Sequence, residues 1–202
     1  MMHTDSTNVN KKAAQSEATR ARLIAAGREL FGRRGYAGVG TEEIVRAAGV
    51  TRGALYHQFA DKRELFAAVI EAVDADLIAE ATVAMAGIED PLDALKAGFR
   101  GWLDSTARPE VHRIVLVDAP AVLGWEAWRE ISERYGLGAV IVGLQAGIDA
   151  GSLAPQPVRP LAHVIMGALD EAALYVARAD DPDTARTETA AVLDRLVDSL
   201  RA

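Results

Sequence analysis

Residues 41–59 read TEEIVRAAGVTRGALYHQF, and this stretch decides how the rest of the chain is interpreted. Each half of it repeats apolar residues at helical spacing, as Leu55 and Phe59 do four residues apart. Gly49 lies between the halves, where a glycine can adopt the positive φ that ends one helix and turns the chain. The pattern predicts a helix-turn-helix whose second helix, residues 52–58, has an outward face free to read or grip a partner.

Side chains that can cap helices stand at the predicted helix starts. Thr51 precedes the second helix of the motif, and its hydroxyl can accept a hydrogen bond from a first-turn amide. Asp61 and Glu64 have the spacing of a capping box, with aspartate in place of the usual serine or threonine. Ser16 is expected to cap a long first helix that ends at Gly35, so three helices come before a long fourth one.

The composition is that of a globular protein. The chain has 202 residues, of which 50% are hydrophobic and 25% charged, which suits one large domain or two small ones. It contains no cysteine, which excludes a disulfide framework, a thiolate metal site and a thiol catalyst. The polar N-terminus lacks the apolar core of a signal peptide, and no run of about 18 apolar residues is present to span a membrane. We therefore expect a cytoplasmic protein with no membrane partner.

Charge is divided unevenly along the chain. The formal net charge of −7 consists of +4 in residues 1–70 and −11 in residues 71–202. An evenly spread negative charge would oppose nucleic-acid binding, because neutralisation of phosphates dominates such affinities. The asymmetry instead indicates a basic binding head on an acidic body.

Beyond the motif the chain reads as further helices, with no convincing strand and no internal repeat. These helices are expected over residues 60–87, 91–107, 110–123, 125–150, 161–179 and 182–201. Gly136 and Gly138 can interrupt the fourth of these, and clustered prolines favour an extended connection before the fifth. The sequence therefore predicts an all-α fold.

The last two predicted helices form an antiparallel hairpin whose alanine-rich apolar faces are broader than one hairpin can bury. We expect them to complete a four-helix bundle with the same hairpin of a second chain, through a two-fold homodimer interface. The alternative is that both faces are internal core. The residues of these faces are Leu161, Ile165, Ala168, Ala172, Tyr175, Val176, Leu193, Leu196, Val197 and Leu200.

The sequence lacks the constellations that catalysis requires, which are a nucleophile with its base, a metal cluster or a phosphate cradle. Its histidines, His3, His57, His112 and His163, never occur at metal-ligand spacing with one another. The glycines of GRRGYAGVG lack the lysine of a P-loop. We expect no catalytic residues, no metal and no cofactor.

A long, ordered set of residues between positions 18 and 70 carries a family resemblance. It comprises AAGRELFGRRGY in the first helix, TEEIVRAAGV and TRGALYHQF in the motif, and DKRELF at the start of the fourth helix. In this run, roughly the first third of its length, the chain resembles the TetR family of bacterial transcriptional regulators. The remainder resembles the variable regulatory half of that family in architecture.

The resemblance implies an N-terminal three-helix DNA-binding domain, joined by a long fourth helix to a C-terminal helical domain for ligand binding and dimerisation. We place a mobile N-terminal arm at residues 1–15, the helix-turn-helix domain at residues 16–60 and the regulatory domain at residues 61–202. The implied function is that of a ligand-responsive transcriptional regulator and not of an enzyme.

The resemblance also implies a set of DNA-binding residues. They are Thr41, Arg52, Gly53, Tyr56, His57 and Lys62. Thr41 would cap the second helix and offer its amide or hydroxyl to a phosphate. Lys62 would contact a phosphate from the start of the fourth helix.

The outward face of the second motif helix would read the DNA. Arg52 can bind a guanine through two hydrogen bonds, whereas Tyr56 and His57 set the position of the protein more than the sequence that it reads. Arg46 and Gln58 either reach the DNA or remain exposed to solvent.

These roles describe a homodimeric repressor whose two heads meet successive major grooves of a palindromic double-stranded DNA operator, about 34–36 Å apart. A small apolar or aromatic effector would enter the body and favour a head spacing that no longer fits. The alternatives are a TetR-type activator or co-repressor-dependent regulator, which would share every one of these features, and a helical binding module that does not bind DNA.

Aromatic and apolar residues in the middle of the chain are candidates for the effector pocket, and core packing is the alternative for each of them. They are Phe99, Trp102, Leu103, His112, Leu116, Val117, Leu123, Trp125, Trp128 and Leu144. Among them, His112 is either a polar partner for the effector or a hydrogen-bonded structural histidine.

Overall fold

The chain folds into packed helices, as described by a computed structural model that covers residues 5–202, with side chains from residue 11 onward. Nine helices lie in this part of the chain: α1 (Asp5–Arg34), α2 (Thr41–Ala48), α3 (Arg52–Gln58), α4 (Lys62–Met85), α5 (Pro91–Thr106), α6 (109–123), α7 (125–149), α8 (Val158–Arg178) and α9 (Pro182–Asp198). Over the same residues, extended pairing is limited to one bridge between Leu153 and Arg201. The all-α fold class expected from the sequence is confirmed.

The first helix begins earlier than the sequence predicts. α1 starts at Asp5, so the expected cap Ser16 lies inside the helix, where its hydroxyl accepts a hydrogen bond from Gln58 Nε2 at 2.7 Å. Residues 5–15 of the expected arm are therefore helical. Residues 1–4 lie outside the described part of the chain, and the mobility of the arm stays a prediction.

The caps of α3 and α4 are those predicted. Thr51 Oγ1 accepts a hydrogen bond from the Ala54 amide at 3.2 Å, and Asp61 Oδ1 accepts one from the Glu64 amide at 2.8 Å. Each cap satisfies an amide that has no partner within its own helix, which fixes where the helix begins.

The boundaries of α2 are set by two glycines. Gly49 ends the helix with φ of 63°, in the left-handed region that the sequence predicts for it. The start differs from the prediction, because the N-cap is Gly40 and Thr41 is the first helical residue. The predicted capping role of Thr41 is wrong, because Thr41 lies inside the helix. The actual N-cap, Gly40, has no side chain that could cap it.

Two of the longer helices contain a wider, π-helical segment. It covers His112–Asp118 in α6 and Glu133–Leu137 in α7. Gly136, where a break was expected, lies in the second segment, and a Cβ there would come within 2.9 Å of the Met166 side chain. The glycine allows α7 to pack closely on α8, and the helix continues through Gly138 instead of breaking.

The start of α8 also differs from the prediction. The helix begins at Val158, three residues before the expected Leu161, with Pro157 as its N-cap. Pro160 therefore falls in the first turn, where a proline is tolerated because the missing amide would have no partner within the helix.

One hydrophobic core runs through the molecule along α4. Near the start of α4, Leu65 and Phe66 are fully buried, and the Phe66 ring lies 5.1 Å from that of Phe31 in α1. Further along, Val73 and Leu77 are buried where α4 packs against α5. We call α1–α3 with the first turns of α4 the head, and the rest of α4 with α5–α9 the body; α4 belongs to both.

α8 has the length and apolar composition of a membrane-spanning helix, which is weak support for a span because core helices share those properties. It packs against α5, α6, α7 and α9. Its buried Asp170 pairs with Arg129 of α7, with 3.0 Å between Oδ2 and Nη1. We therefore interpret α8 as a helix of the body.

Candidate functional site

The outward face of α3 consists of exposed residues, and the opposite face packs against the head. Arg52, Gly53 and His57 are exposed, and the Tyr56 side chain is 45% exposed. Leu55, on the opposite face, is completely buried against the core of the head. The structure therefore brings the four predicted contact residues of α3 together on one exposed face, as the helical spacing requires.

Arg52 is held loosely. Its guanidinium lies 3.6 Å from the Glu42 carboxylate and 5.6 Å from the ring centroid of Tyr56. The Arg52 and Glu42 side chains are 65% and 82% exposed, so water screens their attraction and the pair contributes little to stability. The guanidinium is consequently available to a nucleic-acid partner at low cost.

Lys62 is the first residue of α4, and its side chain reaches into the turn between α1 and α2. Its ammonium donates a hydrogen bond to the Tyr36 carbonyl oxygen at 2.6 Å and lies 3.9 Å from the centroid of the Tyr36 ring. Burial lowers the pKa of the Lys62 ammonium, and the nearby Asp118 carboxylate opposes that shift. The side chain anchors the start of α4 in this conformation, and its contact with a phosphate stays a prediction.

α6 is joined to the head by polar contacts that the sequence did not predict. Asp118 Oδ2 accepts a hydrogen bond from the Tyr36 amide at 2.6 Å. Arg113 donates to the carbonyl oxygen of Gly32, near the end of α1, at 3.2 Å. In the reverse direction, Arg63 of α4 donates to the Leu123 carbonyl oxygen at 3.0 Å, which caps the end of α6. These contacts link the body directly to the turn that precedes α2.

A mainly apolar cavity lies in the body between α4, α5, α7 and α8. It encloses about 640 Å³ not filled by protein atoms, its open mouth included, and about 60 Å³ of this admits the centres of water molecules. Its walls are formed by Asp74, Ile78, Ala81, Met85, Leu95, Gly98, Phe99, Trp102, Ser132, Tyr135, Gly136, Ala139, Val140, Met166 and Leu169. A cavity of this kind between helices is a typical site for a small ligand.

Only two of the residues predicted for an effector pocket, Phe99 and Trp102, line this cavity. The structure places the other predicted residues outside the cavity. Leu103, Leu116, Leu123, Trp128 and Leu144 are buried in the hydrophobic core, and Val117 and Trp125 are about half exposed on the surface.

His112 is also absent from the cavity wall and lies in a separate shallow groove beside Thr106. Burial lowers the pKa of the His112 imidazole, and the neighbouring charge of Arg113 lowers it further. This position does not favour His112 as a polar partner for an effector in the cavity, and its role as a hydrogen-bonded structural histidine stays a prediction.

Asp74 is the polar group of the cavity that sequence reasoning missed. The residue is 6% exposed, and its Oδ2 atom has no hydrogen-bond partner among the described residues. Burial and, to a smaller extent, the neighbouring carboxylates of Asp170 and Glu71 together raise the pKa of the Asp74 carboxyl to about 7. It is one of four carboxylates in residues 71–80 of α4, so its signal in the sequence resembles that of an ordinary exposed position.

The predicted dimer interface is divided by the structure. Ala172, Val176, Leu193 and Val197 are buried in the core of their own subunit, so their assignment to the interface is wrong. They lie on the inward sides of α8 and α9, which helical spacing alone does not distinguish from the outward sides.

An apolar surface does remain on this hairpin, and we call it the α8–α9 stripe. Tyr175 and Leu196 of the predicted set are more than half exposed, while Leu161, Ile165, Ala168 and Leu200 are partly exposed. The residues of the stripe, including two exposed valines that the sequence reading omitted, are Leu161, Val164, Ile165, Ala168, Tyr175, Val192, Leu196 and Leu200.

The sequence matches two parts of one protein family. Residues 23–69 match the domain described as "Bacterial regulatory proteins, tetR family", and residues 92–200 match "Tetracyclin repressor-like, C-terminal domain". The second match alone covers more than half of the chain.

Individual relatives agree with this assignment. A TetR-family transcriptional regulator from Pectobacterium atrosepticum is 34% identical, with a TM-score of 0.82 over 94% of this chain and 97% of the other. The HTH-type transcriptional regulator AcrR of Shigella flexneri is 32% identical over 109 residues, 52% of this chain and 50% of AcrR, so the match spans half the length of that relative.

A more distant structure has the same fold. RolR, crystallised with the ligand resorcinol, is 23% identical and has a TM-score of 0.73 over 91% of this chain and 89% of its own. The architecture and the exposed α3 face are consistent with both domain matches. The domain matches also agree with the expectation that the protein is not an enzyme. The chain belongs to the TetR family of bacterial transcriptional regulators, with an N-terminal DNA-binding domain and a C-terminal ligand-binding domain.

Proposed function

We propose that the protein is a homodimeric repressor that binds a palindromic double-stranded DNA operator through α3 and is released by a small apolar or aromatic effector. The observation that carries this proposal is the course of α4, which begins in the DNA-binding head and forms one wall of the cavity in the body. We expect a cytoplasmic location for this role.

The DNA contacts are proposed for Thr41, Arg52, Gly53, Tyr56, His57 and Lys62. The α3 members of this set share one exposed face, and the net charge of +4 over residues 1–70 favours approach to phosphates. Arg52 has the donors to read a guanine, and its weak ion pair with Glu42 is easily exchanged. Lys62 contributes a phosphate contact only if its ammonium leaves the Tyr36 carbonyl.

Dimerisation is proposed through the α8–α9 stripe. Several exposed apolar side chains on one helical hairpin favour a protein contact, and a self-complementary two-fold contact would join identical stripes. Such a dimer would hold two heads at a fixed separation, which a palindromic operator requires. Sedimentation of a concentration-independent monomer would contradict this part of the proposal.

Two routes would carry a ligand signal from the cavity to the head. α4 is continuous between them. α6 packs against α8, which lines the cavity, and is bonded through Arg113 to the end of α1 and through Asp118 to the turn after it. Displacement of α4 or α6 by an effector would change the separation of the two heads. The effector can shift this equilibrium only by the difference between its affinities for the two states.

The direction of regulation and the effector are tested by DNA binding with and without ligand. Genomic fragments selected by the protein would provide the operator, and the neighbouring genes would indicate the effector class. A repressor of this type loses affinity for the selected fragment when the effector is added. A gain in affinity would instead support the co-repressor-dependent alternative, and transcription that increases with bound protein would support an activator.

A further inference from the structure

The cavity contains a carboxylate for which the described structure provides no partner. Asp74 extends from α4 into the cavity wall, is 6% exposed, and leaves Oδ2 without a hydrogen bond. A buried polar atom without a partner is costly, and native proteins retain few of them. A leucine or methionine at this position would pack among the apolar residues of α4 without that cost. The partner of Asp74 is therefore expected to come from outside the chain.

Neighbouring acidic residues indicate what kind of partner this is. Asp170 lies 3.0 Å from Arg129, Glu133 lies 3.1 Å from the same arginine, and Glu71 lies 2.6 Å from Arg134. Each of these carboxylates is thus paired with a cation within the protein, with Asp170 and Glu133 sharing one arginine.

Asp74 differs from them. It has no such cation among the described residues, and the charges of Asp170 and Glu71 make its surroundings more negative. A positively charged donor would satisfy the hydrogen bond and the charge together, and a charge-assisted hydrogen bond is roughly twice as strong as a neutral one.

The remainder of the cavity fits an apolar molecule. Ile78, Phe99 and Trp102 present apolar and aromatic surface, while Met85 and Met166 are flexible side chains that adapt to different shapes. The space open to water is small, so a bound molecule would displace these methionines in part.

We propose that the cavity binds amphipathic amines, in which a protonated amino group pairs with the Asp74 carboxylate and an apolar or aromatic body occupies the rest of the cavity. This inference specifies the effector class and rests on the proposed function for its regulatory meaning. Asp74 lies twelve residues after Lys62 on α4, about 18 Å along the helix axis. An amine held there would act on the helix that positions the head.

The test compares probes that differ only in the polar group. Phenylethylamine, phenylpropylamine and phenylbutylamine are titrated into the full chain by calorimetry near pH 8, beside the corresponding phenylalkyl alcohols. At least one amine is expected to bind more tightly than its alcohol by about tenfold or more, because only the amine forms a charge-assisted bond. Equal affinities for each pair, or no binding by any amine, would overturn the proposal.

Variants of α4 assign the effect to one carboxylate. Asp74→Asn is expected to lose about tenfold or more in amine affinity and to change alcohol affinity little. Asp76→Asn is the matched control, because Asp76 lies on the same helix but faces solvent and pairs with Arg28. Asp74→Leu repeats the test without an amide in the cavity, and thermal melts verify the fold of each variant. Amine binding that survives both Asp74 substitutions would contradict the assignment.

Failure of this inference and failure of the proposed function give different results. Salt-dependent binding of selected DNA without amine binding would reject the amine site and leave the regulator intact. Amine binding by a protein that does not bind DNA would reject the proposed regulator and leave the amine site intact.

Discussion

The head and the body of this protein solve different problems with the same kind of helix. In the head, short helices are fixed by local devices, such as Gly49 and the cap Thr51, and Leu55 behind α3 is completely buried. The buried polar residues of the described chain, Asp74, Thr106 and Asp170, all lie in the body.

The same contrast holds for unsatisfied atoms and for helix regularity. The side-chain atoms that are buried without a hydrogen bond, Asp74 Oδ2 and Trp128 Nε1, also belong to the body, as do the π-helical segments of α6 and α7. This difference indicates that the head presents one fixed surface, whereas the interior of the body is adaptable and contains polar atoms without hydrogen bonds.

The largest effect is expected from breaking the support of the head. Leu55→Ala removes a completely buried side chain behind α3 and should lower the free energy of unfolding by about 2–5 kcal/mol. Tyr56→Ala, the adjacent exposed position, should change it by only about 0.5 kcal/mol. Urea denaturation followed by circular dichroism measures both. Equal losses would show that the two faces of α3 do not have separate roles.

The incompletely satisfied body predicts a pH effect that the head does not. The pKa of Asp74 is about 7 in the folded protein and 3.8 in the unfolded chain, so folded Asp74 retains a proton that the unfolded chain has released. Stability therefore falls as pH rises through this range, and the last part of the fall, about 1.4 kcal/mol, takes place between about pH 6 and about pH 8, where the folded carboxyl loses its proton.

Asp74→Asn should abolish this part of the pH dependence. The difference between the unfolding free energies of wild type and variant isolates Asp74, because all other ionisable groups are present in both proteins. A difference that stays constant over the same pH range would mean that Asp74 is not held in an environment that raises its pKa.

A smaller effect is expected at the contact between the two regions. Asp118→Asn weakens the acceptor for the Tyr36 amide and should cost about 0.5–1.5 kcal/mol of local stability. Hydrogen exchange should then become several-fold faster at Tyr36, while the amides of α8 exchange as before. Unchanged exchange at Tyr36 would exclude the Asp118 contact as a link from α6 to the head.

The smallest expected effect concerns Lys62 and the DNA. Lys62→Ala should weaken binding to all DNA sequences and reduce the salt dependence of the binding constant by about one ion. Lys96→Ala, in which a lysine paired with Asp93 and Asp198 in the body is removed, serves as the control. If the slope is unchanged while stability falls, Lys62 is an anchor for Tyr36 and makes no phosphate contact.

The head could be predicted from the sequence because its signals are local. The ends of α2 and α3 depend on glycines, caps and apolar spacing within about ten residues, as at Gly49 and Thr51. The start of α1 was missed because residues 5–15 are mainly small and polar, with little apolar surface to mark a packed helix. The N-cap predicted at Thr41 is one residue earlier, at Gly40, which has no side chain to mark it as a cap in the sequence.

The cavity could not be predicted because it depends on which helices meet. Phe99 and Trp102 were found through their aromatic character, but Asp74 and Met166 lie on different helices and are more than 90 residues apart in the sequence. Helical spacing likewise shows that a residue such as Val176 lies on an apolar face without showing whether that face is inward or outward. Such choices are made by tertiary packing and not by local pattern.

The central claim is that the α3 face binds duplex DNA. Its most direct test is the affinity of the full chain for a selected genomic fragment over a range of salt concentrations, measured for wild type and Arg52→Ala. We expect an affinity that falls steeply with salt, and a variant with relaxed base preference at one operator position. Affinity for DNA that is absent, or that does not depend on salt, would contradict it.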